Sequence, residues 1–361
     1  MSVKKILIVC SYSRTSSEIA SFCERAFGEL GLSAGVFFFH PYRYSSRLGR
    51  RIFGPLEYRI AKWKLLSGIR GFSPDLVLVV KGDELLPETV AEIRERFRIP
   101  VADWWIDDPG FIGVSSGLSP AYDIFFTNDP DSVPVHRSGG CRFARFLTFA
   151  CSPAAHRAVE LTKEEADRYG CDIIFVGLLT PDRVKTLEAL KDFKLKIWSL
   201  PVVREYLPGT GEVTRKELSP DSPLYPLITG RELWGGELAK AYSAAKIVLN
   251  IHSHGKSDPN MRVFEATACG AFLLTEDRSG LKDVFDVGRE LVCFRGLEEL
   301  RERARYYLAN ESERKSIARQ GQARAYRDHT YVHRMKELLG YVEEFGKEGR
   351  AAGNPRDRGL S

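Results

Sequence analysis

The sequence predicts an α/β protein of two parallel-sheet domains with a cleft between them. Three observations predict it. Short apolar runs alternate with segments of helical period from the start of the chain. The alternation lapses around residues 150–170 and then begins again. A length of 361 residues suits two domains of roughly 150–180 residues each.

The elements follow in order. "KKILIVCS" is a short buried strand, and the helix after it carries Ile19, Phe22, Cys23, Ala26, Phe27 and Leu30 at helical spacing, with Ser16 or Thr15 as its cap. "AGVFFFH" and "PDLVLVVKG" are the next strands, "PETVAEIRERF" a helix, and "PVADWWIDDP" and "YDIFFTNDP" two further strands ending in polar turns. Such alternation implies a parallel sheet covered on both faces. The second round runs "CDIIFVG", "PDRVKTLEALKDF", "LKIWSL", "GGELAKAYSAAKIVLNIH", "PNMRVFEATACG" and "AFLLTE". Residues 201–231, rich in Pro and Gly, read as a long loop. The final helical stretch is expected to break near Gly321 or around His329–Thr330, and residues 348–361 to be a disordered tail.

The composition, 43% hydrophobic and 28% charged, is that of a soluble globular protein. No apolar run reaches the ~18 residues of a membrane span, and the start reads as a strand, not a signal peptide. Seven scattered cysteines without a C-x-x-C pair read as reduced core residues of a cytoplasmic protein. Between His40 and Arg70, seven basic residues, Arg43, Arg47, Arg50, Arg51, Arg59, Lys62 and Lys64, face Glu57 alone, with Tyr42, Tyr44, Phe53, Tyr58 and Trp63 interleaved. Residues 43–70 are either a solvated helical face or a peripheral contact with the anionic inner face of a membrane. Nucleic acid is not expected, since no reading module is present.

Ligands of open parallel sheets sit beyond the carboxyl ends of the strands. No G-x-G-x-x-G or P-loop follows any strand, which argues against dehydrogenases and P-loop kinases. The second domain is richer. Asp258 and Pro259 suit a helix start, an anion site that Lys256 and Arg262 reinforce with full charges. Glu265 is able to accept two hydroxyls of a ribose. The alternative is an exposed Glu265 paired with Arg262 at i,i+3. Gly177, with Arg183 behind it, offers a second phosphate contact or a plain turn. His252 and His254 are a poor zinc set, so no metal is expected, and one of them is a candidate ligand contact. At the first domain's strand ends, Asp107 or Asp108 is placed to take a proton or to bind a ligand hydroxyl; the alternative is a turn capped by aspartate. Asn128 and Asp129 carry the same ambiguity. Of Trp104 and Trp105, at most one faces a ligand.

These residues resemble a known family. "LNIHSHGKSDPNMRVFEATACGAFLLTEDRSGLKDVF" and the later "HTYVHRMKELL" resemble the C-terminal half of GT-B glycosyltransferases. With "FSPDLVLVVKGDELLPETVAEI", "WWIDDP" and "SPAAHRAVELTKEEADRYGCDIIFVGLLTPDR", the similarity is to the CgeB-type, spore-maturation-like branch of the family-1-like group. The resemblance implies two Rossmann-like domains: an acceptor-binding domain over 1–155 and a nucleotide-sugar domain over 156–330. A helix over 331–347 would cross back onto the first. It implies a nucleotide-diphosphate sugar as co-substrate, no cofactor, and an acceptor, of unknown kind, near Ser11, Arg14, Asn128 and Asp129. The donor would lie against Gly177, Arg183, His252, Lys256, Asn260, Arg262 and Glu265, with Glu265 on the ribose. Asp107, Asp108 and Arg183 would be catalytic. An earlier donor-sugar glutamate of related enzymes falls here on Ser257, beside Asp258, which either substitutes for it or caps the helix. The placement implies retention of configuration and a role in cell-envelope glycan synthesis. A non-catalytic sugar-nucleotide scaffold or an epimerase on the same fold are the alternatives.

Overall fold

The computed structural model describes residues 3–41, 47–207, 213–253, 255 and 259–351, with the side chains of 47–50, 52 and 349–351 excepted. The expectations for Arg43, His254, Lys256, Ser257, Asp258 and the last ten residues of the tail lie outside the described residues. The chain divides into two compact units, residues 1–148 with 331–361, and residues 149–330.

In the first unit the chain runs β1 (Lys5–Ser11), α1 (Arg14–Glu29), β2 (Ser33–Phe39), α2 (Arg47–Phe72), β3 (Leu76–Val80), α3 (Pro87–Phe97), β4 (Val101–Trp105), α4 (Ile112–Leu118), β5 (Ile124–Thr127), α5 (Val133–Ser138) and β6 (Ala144–Phe146). The strands form one parallel sheet in the order β2-β1-β3-β4-β5-β6. β3, β4 and β5 are buried along their whole lengths, as expected where helices cover both faces. Trp104 and Trp105 alternate sides of β4 and both are core; neither faces a ligand. Trp104 Nε1 donates to Leu147 O at 3.1 Å.

The second unit runs α6 (Lys163–Tyr169), β7 (Cys171–Val176), α7 (Pro181–Glu188), β8 (Leu195–Trp198), β9 (Val202–Tyr206), β10 (Val213–Glu217), α8 (Gly235–Ala244), β11 (Ala245–Asn250), α9 (Met261–Ala268), β12 (Leu273–Glu276), α10 (Leu281–Val284), β13 (Val292–Phe294), α11 (Leu297–Ala309) and α12 (Glu311–Asp328). Its main sheet is parallel, in the order β13-β12-β11-β7-β8. Both units are thus Rossmann-like. The stretch read as a long loop contains the antiparallel pair β9–β10, with Val202 opposite Glu217. Its strands are mostly half-exposed, so no apolar run marks them.

The long terminal stretch breaks at His329–Thr330, not at Gly321. Cys151 N–H donates to His329 O at 2.8 Å, and Cys151 pairs with Thr330 in a parallel bridge. That bridging takes the backbone out of helical register. The last helix, α13 (Tyr331–Ala351), returns to the first unit. It buries Met335, Leu338 and Val342, stacks Tyr341 on Phe126 and Phe345 on Phe143, and places Glu344 2.7 Å from Arg145. All seven cysteines are buried free thiols. No described helix is long and apolar enough to cross a membrane.

Candidate functional site

In the second unit the chain moves outward from β7 to β8, then returns to β11 on the other side of β7. The loops leaving β7 and β11 therefore diverge, which is where such sheets hold ligands. Arg183 stands at this point. Thr180 caps α7, accepting from Arg183 N–H at 3.4 Å, with Pro181 in the first turn, so Arg183 is fixed one turn into the helix. Its guanidinium donates from Nε and Nη2 to Ile251 O at 3.0 and 2.7 Å, and from Nη1 to Leu178 O at 2.8 Å. It thereby ties the two diverging loops together. Only 9% of the residue is exposed. Burial pulls its pKa down to about 10, and the charge of Arg262 pulls the same way; it stays cationic at neutral pH. A Cβ at Gly177 would lie 3.4 Å from the Phe175 ring and 3.7 Å from Arg183 Nη1. Glycine leaves that side of the guanidinium open.

The carboxyl ends of β11 and β12 are joined by a chain of amides and hydroxyls. Asn260 Nδ2 donates to Asn250 Oδ1 at 3.1 Å, and Asn250 Nδ2 to Thr275 Oγ1 at 2.9 Å. Asn260 Oδ1 accepts from Arg262 N–H at 3.1 Å, so Asn260 caps α9, and Pro259 precedes the helix. His252 is buried. Its backbone N–H donates to Glu276 Oε2 at 2.8 Å, and its ring Nδ1 lies 3.5 Å from the same oxygen. Arg278 completes the group, bonding Glu276 Oε2 at 3.0 Å and Gly255 O at 2.8 Å. Glu276 and Arg278 escaped the sequence reading, although Glu276 ends the run "AFLLTE" and the strand-end rule points to it.

Burial pushes the His252 pKa down to about 4, against the pull of Glu276, so the ring is neutral and serves as a fixed wall of the site, not as a cation. In the unfolded chain a histidine titrates near ~6.5. The unfolded state therefore binds the proton first, and stability is full above that value and lost as the pH falls toward 4. Denaturant titrations at pH 7 and pH 5 are expected to show a loss of about 1–2 kcal/mol that shrinks in His252→Asn; an equal loss in the variant would refute the assignment.

Glu265 is 2% exposed and hydrogen-bonds Arg262 Nη1, while His156 Nε2 lies 3.8 Å from its other oxygen. The i,i+3 pair is thus present, but the exposed glutamate that was expected to accompany it is not: the pair closes over a buried carboxylate. Burial lowers the His156 pKa, and Ser152 N–H donates to its Nδ1 at 3.1 Å. Arg262 also lies 6.0 Å from the Trp234 ring centroid.

The first unit's candidates separate into two kinds. Asp107, at 27% side-chain exposure, pairs with Lys81 Nζ at 2.6 Å and stays accessible. Asp108 is fully buried. It accepts from Ser115 Oγ at 2.6 Å and Thr127 Oγ1 at 2.8 Å, and His136 Nε2 lies 2.7 Å away. Asn128 bonds the Asp108 backbone at both N–H and O, each at 3.1 Å. Asp129 is buried against Ser132 Oγ at 2.5 Å, and burial raises its pKa. Asp108 and Asn128 thus hold the ends of β4 and β5 together, and Asp129 fixes the turn after β5, so these side chains are engaged in structural bonds where a reactive or acceptor-side role was expected. Ser11 is also buried, bonded to Ser13 and Ser16 at the start of α1, whereas Arg14 is exposed there. Among the described residues no cluster of three His, Cys, Asp or Glu is placed to hold a metal.

Residues 183–340 match the model of a family described as glycosyl transferase-like. Several solved structures share the fold. Alr3699/HepE of Anabaena, crystallised with UDP and glucose, is 12% identical with a TM-score of 0.62, over 95% of this chain and 100% of its own. Sucrose-phosphate synthase from Thermosynechococcus elongatus is 12% identical with a TM-score of 0.64, over 95% and 100%. AviGT4, a glycosyltransferase involved in avilamycin A biosynthesis, is 15% identical with a TM-score of 0.58, over 95% and 98%. No curated protein matches the chain. Residues 183–340 thus resemble a glycosyl transferase-like family, and the chain has the α/β fold that GT-B glycosyltransferases share.

Proposed function

We propose that the protein moves a sugar from a nucleotide-diphosphate sugar to an acceptor hydroxyl, with retention and without a metal, as a CgeB-type enzyme of cell-envelope glycan synthesis acting in the cytoplasm. The observation that carries the donor site is Arg183: a buried cation whose hydrogen bonds go to backbone carbonyls of two diverging loops. The charge of Arg262, in the first turn of α9, acts on it. Two cations and a helix start in one crevice favour a diphosphate.

As the glycosidic bond lengthens, negative charge grows on the leaving phosphate and the sugar carbon becomes electron-poor. Arg183, held by its carbonyl bonds, stabilises that charge without reorganising, and Arg262 adds to it after leaving Glu265. When Arg262 turns to the phosphate, the Glu265 carboxylate it releases accepts the ribose hydroxyls. Neutral His252 and Asn260 hold the loop edge in place. Asp107, with Lys81 beside it, is an accessible carboxylate at the end of β4 and takes the proton of the acceptor hydroxyl.

Melting the whole chain with a panel of nucleoside diphosphates and sugar nucleotides tests this reading. A ligand at about 100 times its Kd adds about 2.7 kcal/mol to the folded state. At least one is expected to raise the melting point, and its sugar form to release nucleoside diphosphate with an acceptor present. A panel without any shift would refute the donor site. Binding without release under every acceptor would favour the non-catalytic scaffold.

A further inference from the structure

The first unit carries a second feature that sugar transfer does not explain. Helix α2 buries one face, with Tyr58, Ala61, Leu65 and Ile69 against the sheet. Its opposite face is also apolar. Phe53, Leu56, Ile60 and Trp63 are exposed by 47–66%, at spacings of three, four and three, so they form a single stripe. Phe38 of β2, an edge strand of its sheet, is exposed beside the stripe. Between β2 and α2 runs a groove of about 490 Å³ with an apolar floor of Phe37, Phe38, Phe53, Leu56 and Ile60 and with Glu57, Lys64 and His40 also on its lining. Tyr12, after β1, extends the apolar surface: its ring lies 6.0 Å from that of Phe38.

The charges around the stripe are mainly basic. At 100° per residue, Arg59 and Arg70 fall on one flank of the stripe, and Lys64 falls on the other beside Glu57, the sole acidic residue of α2. Soluble proteins rarely leave a continuous apolar surface of this kind uncovered. A second protein of ordinary composition would meet the stripe but leave its cationic margins unmatched. A layer with an apolar interior and anionic headgroups matches both.

We propose that this face of α2 docks on an anionic bilayer, with Phe53, Leu56, Ile60 and Trp63 in the headgroup–acyl boundary and Arg59, Lys64 and Arg70 on lipid phosphates. The groove beside Phe38 receives part of an acyl chain. The proposal stands apart from the donor site, since it concerns only the first unit and is read without turnover.

Sedimentation of the full chain with vesicles tests it. Phosphatidylcholine alone is expected to leave the protein in solution, and phosphatidylcholine with phosphatidylglycerol to pellet it, with the binding lost at high salt. Arg59→Gln with Lys64→Gln is expected to lower partitioning roughly 25-fold, about fivefold per cation. Leu56→Ser, Ile60→Ser and Trp63→Ser together are expected to abolish it at an unchanged melting point, because these side chains are exposed. The emission of the wild type is expected to shift blue on anionic vesicles and that of Trp63→Phe to shift less. Equal pelleting by both vesicles, no pelleting by either, or wild-type indifference to the serine substitutions would overturn the proposal. So would a lipid-free dimer that the serine variant converts to monomer, since a second copy would then cover the stripe.

Discussion

Arg183→Ala is expected to weaken binding of the nucleoside diphosphate selected by the melting panel at least 100-fold, about 2.7 kcal/mol. The size follows from two losses. A charge-assisted hydrogen bond to phosphate is worth about 1.5–3 kcal/mol, and alanine removes a guanidinium able to make more than one. The carbonyls of Ile251 and Leu178 also lose their buried donors, so the two loops spread and the remaining contacts slip. That second loss costs about 2 kcal/mol of folding stability. Arg183→Lys separates the two. A lysine keeps the charge but does not bridge both carbonyls in one plane. It is expected to recover part of the affinity and little of the stability. Calorimetric titration below the melting transition of each variant checks this. A destabilised Arg183→Ala protein that binds nucleotide as the wild type does would reduce Arg183 to a loop tie and remove the proposed phosphate site.

Asp108→Ala is expected to act in the opposite sense, on folding alone. Deleting the carboxyl strands Ser115 Oγ, Thr127 Oγ1 and His136 Nε2 in a region closed to water. Each abandoned partner costs about 1–3 kcal/mol where water does not replace the bond, and partial relaxation brings the total to about 3–5 kcal/mol. The melting point of the unit is expected to fall by about 6–15 °C. Asp108→Asn, which keeps the volume and part of the bonding, should lose less. Nucleotide affinity is expected to be unchanged in both, and any turnover of Asp108→Asn to match the wild type at a temperature where both are folded. Lost turnover in a stably folded Asp108→Asn protein would return Asp108 to the reacting centre. Asp107→Asn provides the contrast: one residue earlier and accessible, it should lower turnover without a comparable stability loss.

How far the sequence disclosed these features depended on the range of the interaction. "LVLVV" and "IFFT" are legible as buried strands because apolar runs between turns are local signals. The start of α9 was only half legible. The sequence pointed to Asp258 for the cap, whereas Asn260 takes that place and is held there by its bond to Asn250, ten residues back. The motif "IDDP" likewise does not reveal which aspartate turns inward. Ser115, Thr127 and His136 decide it, and they come from α4, β5 and α5. Glu265 was found by pattern, but its burial was not, because His156 reaches it from more than a hundred residues earlier. The pair β9–β10 escaped because neither strand is buried enough to demand an apolar face.

The return of α13 to the first unit bears on how the chain is made. Met335, Leu338 and Val342 lie in the last tenth of the sequence, yet they cover a sheet whose strands are complete by Phe146. Growing on a ribosome, the first unit keeps the apolar side chains of Phe126 and Phe143 uncovered while the whole of residues 149–330 is synthesised. A nascent chain with such a gap is prone to capture by neighbours. Release at residue 330 is therefore predicted to give a product that aggregates or is degraded, however well its second unit closes.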